Sequence, residues 1–260
     1  MEKTDRHIVL VTGGAIRIGR AISLAFAKAG FGVVVHCNRS RAEAEMLRDE
    51  IARDGGVAWV VTGDLADSAA CDSVVASAIA SAGRLDVLVN NASIFARTPL
   101  PDATAADFEA QWRVNTLAPA LLSRAFARAV IADAEHGGAA IREARKNGAP
   151  FFQPSIVNLL DQRIANPRAG CIPYALSKSA LAAFTEAAAI ELAPRVAVNA
   201  VAPGAVASAA PHGGVHEKAG ATLLESRPTP DDIAAAVVWL ATARGVTGQT
   251  VFVDAGQRLI

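Results

Sequence analysis

Short apolar runs rich in Val, Ile and Leu alternate with Ala-rich segments of helical spacing from one end of this chain to the other. The runs His7–Val11, Gly32–His36, Val57–Val61, Asp86–Val89, Ser155–Leu159, Arg195–Ala200 and Thr250–Val253 have the length and composition of strands buried on both faces. Between them, Arg20–Ala29, Arg41–Arg53, Ser68–Ser81, Phe108–Ala132, Leu176–Leu192 and Pro230–Ala243 read as helices. Strand, helix and parallel strand join by right-handed crossovers. The chain is therefore read as α/β: one doubly wound Rossmann-type domain over residues 1–260, with a mostly seven-stranded parallel sheet and helices on both faces. Ligands of such sheets bind at the carboxyl ends of the strands, so the loops there carry the chemistry.

With 260 residues, 52% of them hydrophobic, the chain builds one core without disulfides or a metal. Basic and acidic residues number 25 each, which offers no electrostatic footprint for nucleic acid or an anionic membrane. Cys37, Cys71 and Cys171 are scattered and form no C-x-x-C pair, as in a reducing compartment. No secretory pattern follows Met1, and no apolar run reaches the ~18–20 residues that span a bilayer. A cytoplasmic protein is expected. Residues 134–150, polar and Gly-containing, read as an irregular surface insertion.

Directly after the first strand, Thr12-Gly13-Gly14-Ala15-Ile16-Arg17-Ile18-Gly19 leads into a helix. Glycines admit a close ligand and the helix N-terminus offers free N–H groups, so a dinucleotide pyrophosphate belongs here. At the end of the second strand, His36-Cys37-Asn38-Arg39-Ser40 lacks the carboxylate that an adenosine 2′-hydroxyl prefers. Arg39 and Ser40, with His36 and Arg17, suit a 2′-phosphate instead, and the cofactor read from them is NADPH. Asp64-Leu65, after the third strand, is placed to meet the adenine.

Asn90-Asn91-Ala92-Ser93 follows the fourth strand, and Asn158-Leu159-Leu160-Asp161 closes the fifth. Tyr174 and Lys178 stand four residues apart on one helical face. An ammonium near a phenol lowers the phenol's pKa toward the working range, as proton transfer requires.

Together these residues resemble the short-chain dehydrogenase/reductase family along nearly the whole chain: Gly13, Gly19, Asp64, Asn90, Asn115, Tyr174, Lys178, Pro203-Gly204 and Val253-Asp254-Ala255-Gly256 fall in its order. The resemblance implies that Tyr174 donates the proton, that Lys178 holds the nicotinamide ribose, and that Asn115 anchors a water in a relay to Lys178. It extends the cofactor site to Ile18, Asn38, Ala92, Ser93, Pro203 and Gly204.

Two departures narrow the resemblance. Arg17 replaces the middle glycine of the loop, and Asp161 stands where the family has Ser, thirteen positions before Tyr174. Both are found in the pteridine reductase branch, which Val35–Ser40 and Asn91–Phe95 also resemble. That branch implies a pterin or folate held by Arg17, Ser93, Phe95, Asp161 and Tyr174, with Phe95 covering one face of the ring. A carboxyl group beside Tyr174 opposes the lysine, so the two titrate jointly. Residues 204–227 are the family's substrate loop, and the family implies a homotetramer in which Arg258 is a candidate to reach a neighbouring site. His212 and His216 have no third ligand, so no metal is expected. A reductase of ketones or aldehydes and a non-catalytic NADPH-binding regulatory protein are the alternatives.

Overall fold

The computed structural model describes residues 6–132, 143–144, 146–148, 151–206 and 221–260. Seven parallel strands lie in the order β3-β2-β1-β4-β5-β6-β7: β1 Ile8–Val11, β2 Gly32–Cys37, β3 Val57–Thr62, β4 Val87–Asn90, β5 Ser155–Leu159, β6 Ala197–Pro203 and β7 Thr250–Val253. Order reverses between β1 and β4, which pair through Val9–Val87, Leu10–Leu88 and Val11–Val89. A crevice opens above that point because the connections leave β1 and β4 in opposite directions.

Alternate strand residues serve opposite faces. Val9, Val11, Val33 and Val35 pack with α1 (Arg17–Lys28), α2 (Arg41–Arg53) and the last helix, Pro230–Thr242. Ile8, Leu10, Val34 and Leu88 pack with α3 (Ser68–Ala82), α5 (Ala118–Ala132) and α6 (Ile172–Leu192). Burial on both faces explains the unbroken apolar runs of β1 and β4.

Boundaries moved where caps and turns outweigh hydrophobic period. The first helix begins at Arg17, three residues before the expected start, so Ile18 and Gly19 sit in its first turn. Pro173 lies in the first turn of α6, which places Tyr174 inside the helix. The expected Phe108–Ala132 helix starts earlier, where Thr104 and Asp107 form a capping box for α4 (Ala105–Trp112). A π turn, Arg113–Leu117, then joins α4 to α5, with the Ala118 N–H donating to Arg113 O. β6 runs on to Pro203, paired with Val253.

Most of residues 134–150 lies outside the described residues, but 143–144 and 146–147 are helical, against the expected irregular structure. Of the substrate loop, 207–220 with His212 and His216 lies outside them too. Among the described residues no helix is long and apolar enough to cross a membrane.

Candidate active site

The Gly loop is built against the end of β4. Thr12 Oγ1 donates to Val89 O (3.2 Å) and accepts from the backbone N–H groups of Asn91 and Ala92 (2.9 and 3.0 Å). Asn91 Nδ2 donates to Thr12 O and Gly13 O (2.8 and 3.1 Å). Gly13 has φ +59°, and a Cβ there would stand 3.2 Å from Ala92 Cα, so only glycine suits this contact. At Gly19 a Cβ would collide with Gly13 O. Arg17 is exposed and holds φ 52°, a left-handed conformation that costs a non-glycine residue about 1–3 kcal/mol.

Beside this loop opens a cleft of about 690 Å³. Of the expected cofactor residues, Gly13, Asn38, Arg39, Ser40 and Asp64 line it. Its far wall was not foreseen: Ala106, Glu109 and Ala110 from α4, with Arg113 and Val114 from the π turn. No sequence motif pointed there, because the wall comes from a helix remote in the chain from the nucleotide loop.

Three expected cofactor side chains are buried instead of facing a ligand. His36 is 2% exposed, its Nδ1 accepts the Gly13 N–H (3.2 Å), and its Nε2–H donates to Gly63 O (3.1 Å). Burial lowers its pKa to about 4, so it stays neutral and braces the loop, with no charge for a phosphate. Leu65 belongs to the core. Asn90 Nδ2 donates to Asn158 Oδ1 (2.8 Å), and Asn158 Nδ2 to Thr185 Oγ1 (2.9 Å), a polar link from β4 through β5 to α6. Asp64 forms a turn with the Ala66 N–H (3.0 Å) while lining the cleft. Pro203 ends β6, and the Gly204 N–H donates to Val253 O (3.0 Å).

At the other end of the crevice a carboxyl group, a phenol and an aromatic ring meet. The Tyr174 hydroxyl donates to Asp161 Oδ2 at 2.9 Å, and the Phe95 ring meets Tyr174 edge-on with centroids 4.8 Å apart. Phe95 is 42% exposed, so its remaining surface is open to a flat ligand. Lys178 is 2% exposed and donates from Nζ to Leu159 O (2.8 Å), with Nζ 5.9 Å from the Tyr174 ring centroid.

The lysine does not lower the phenol as the spacing suggested. Burial, then the charge and hydrogen bond of Asp161, push Tyr174 well above the usual phenol range. Burial also lowers Lys178 to about 8, partly offset by Asp161. The site therefore keeps a proton on its phenol and poises its ammonium near neutrality.

Asn115 is fully buried, and its side chain is committed to structure. Its Oδ1 accepts from Ser93 Oγ and the Ile94 N–H, both at 2.9 Å, while Nδ2 reaches Ile94 O (3.0 Å), Gln111 Oε1 (2.8 Å) and Ser177 Oγ (3.1 Å). It thus holds the Ser93–Ile94 strand end against α4 and α6. Its position in the π turn is what sets it apart, since such turns recur at functional sites. Arg258 pairs with Asp254 of its own chain (3.3 Å) and lies 4.2 Å over Phe252. Sequence reading missed Arg163, which donates to Asp161 Oδ2 at 2.9 Å; a cation two residues after a strand-end carboxyl group was the available signal.

A nucleotide-type cleft and a Tyr–Lys pair at the same strand ends define an oxidoreductase of the Rossmann class. The family described as short chain dehydrogenase matches residues 7–217, and the chain belongs to that family. It is 31% identical to a 3-oxoacyl-(acyl-carrier-protein) reductase of Synechocystis sp., with 98% of both chains covered. It is 30% identical to pteridine reductase 1 of Leishmania tarentolae, covering 97% of this chain and 96% of that one. FolM alternative dihydrofolate reductase 1 from Brucella canis, crystallised with NADP, has a TM-score of 0.81 and 31% identity, covering 98% of this chain and 95% of that one.

Proposed function

We propose that this protein is an NADPH-dependent reductase of a pterin, in which the Asp161–Tyr174 pair supplies the proton to a ring nitrogen. The observation that carries this reading is the 2.9 Å bond between that carboxyl group and that phenol, with Phe95 edge-on beside them. A phenol held above its usual range suits protonation of a nitrogen made basic by reduction of its neighbouring carbon. It suits alcohol oxidation poorly, since that needs the phenolate.

The cofactor fits the cleft. Gly13 lines the cleft beside the N-terminus of α1, which suits a pyrophosphate, and Asn38, Arg39 and Ser40, none of them a carboxylate, line it after β2, where a 2′-phosphate would lie. When bound, the reduced nicotinamide supplies the hydride. Tyr174 gives its proton to the adjacent nitrogen, Asp161 orients the hydroxyl, and Lys178 holds the ribose and restores the proton. Phe95 stacks on the heterocycle, a contribution of about 0.5–1.5 kcal/mol beyond burial. The backbone strain held at Arg17 points to a ligand role, beside Ser93, at the amino-pyrimidine edge. The pteridine reductase and FolM relatives support this substrate class.

The protein is further read as a cytoplasmic homotetramer assembled through α5 and α6, where Ile131 and Ile190 are 47% and 82% exposed. Light scattering on the purified chain gives the oligomer. The substrate test is NADPH oxidation with dihydrobiopterin, biopterin, dihydromonapterin and dihydrofolate, with a simple ketone as control. Pterin-dependent turnover is expected; turnover of the ketone alone overturns the substrate, and tight NADPH binding without turnover overturns the enzyme.

A further inference from the structure

Arg163 lies in a short 3-10 turn, Gln162–Ile164, directly after Asp161. Its Nη1 and the Tyr174 hydroxyl both donate to one carboxyl oxygen, Asp161 Oδ2, each at 2.9 Å. Its backbone N–H donates to Oδ1 at 2.8 Å. The guanidinium carbon stands 5.5 Å from the centroid of the Phe95 ring. At 7% exposure this cation is withdrawn from water, so its interactions are little screened by salt.

We infer that Arg163 is the positioning residue of this site: by sharing Asp161 Oδ2 with Tyr174 it loosens that oxygen's hold on the phenolic proton and keeps the proton transferable. An oxygen already engaged by a cation is a weaker acceptor for a second donor, and a nearby cation favours the phenolate. Arg163 also sets the wall against which a ring would lie, through Phe95. The groups facing Tyr174 pull in opposite directions. Burial, Asp161 and the Cys171 thiol at the N-cap of α6 raise it, and Arg163 draws it back; Lys178 lies on its own helix, over the ring.

This role rests on the proton-donor reading of Tyr174, but its test needs no substrate. Tyr174 is the chain's single tyrosine, so phenolate absorbance titrates it alone. In a stopped-flow pH jump, read before alkaline unfolding, Arg163→Met moves the midpoint upward by roughly one pH unit. Arg163→Lys keeps the charge and stays near wild type, and Arg163→Gln serves if the Met variant does not fold. Asp161→Asn lowers the midpoint, and adding Arg163→Met to it raises the midpoint again. Coincident midpoints with and without Arg163 in both backgrounds overturn the inference. With a substrate in hand, Arg163→Met lowers kcat ~10–100-fold with KM for NADPH unchanged, and Arg163→Lys restores it. A fall in kcat that Arg163→Lys does not rescue means a merely structural role, and also overturns it. Absence of pterin turnover in the wild type removes the substrate reading alone.

Discussion

Replacing Lys178 by Met should make the protein more stable at neutral pH and inactive. The ammonium is 2% exposed, and burial lowers it from an ordinary 10.5 to about 8. Below pH 8 the folded and unfolded chains both carry the proton, so the cost of burying the charge is fully present. Between about 8 and 10.5 the folded chain has released the proton and the unfolded chain has not. The unfolded state then binds more protons, and wild-type stability climbs with pH through that window. At about 1.4 kcal/mol per pH unit the cost at neutrality is about 3 kcal/mol. Met leaves Leu159 O without its donor, a loss of ~1 kcal/mol at every pH. Lys178→Met is therefore about 2 kcal/mol more stable than wild type at pH 7 and about 1 kcal/mol less stable near pH 10.5. Urea unfolding without nucleotide at the two pH values measures both. A difference that stays constant with pH would refute the reasoning, since the lost hydrogen bond is the same at each and only the buried charge titrates.

Four further substitutions separate the roles assigned above. Asp161→Asn should lower kcat by about 10²-fold or more while NADPH affinity, measured by titration calorimetry, barely changes; near-normal turnover would remove Asp161 from proton transfer. Arg39→Ala should weaken NADPH by ~10-fold or more and leave NADH almost untouched, whereas His36→Ala should weaken both alike, because it strips support from the loop and not a phosphate ligand. Equal losses for the two nucleotides in Arg39→Ala would place the 2′-phosphate elsewhere. Phe95→Ala should raise the pterin KM severalfold with the NADPH KM unchanged, and a change in NADPH alone would make Phe95 part of the nucleotide wall.

The α/β order, the parallel sheet and the Gly loop were legible in the sequence because each rests on local signals. Strands buried on both faces must be apolar throughout, and Gly13 must be glycine where Ala92 approaches it. The meeting of Asp161, Tyr174 and Phe95 was legible only through family resemblance, since they come from three different segments. Hidden from sequence was where side chains point. His36 and Asn90 lie in the last residues of strands whose ends face the crevice, yet both turn into the protein to satisfy buried backbone or a neighbouring strand.

The tertiary structure alone decided the electrostatics. Four-residue spacing puts Tyr174 and Lys178 on one face, but the lysine bonds Leu159 O and burial acts on both groups, so the phenol rises and the ammonium falls. Arg163 is an ordinary cation in the sequence; folding withdraws it from water and sets it between Asp161 and Phe95. Sequence determines which groups the site has. Their charge and proton-holding strength depend on distance and desolvation, which exist only once the strands, helices and loops have packed.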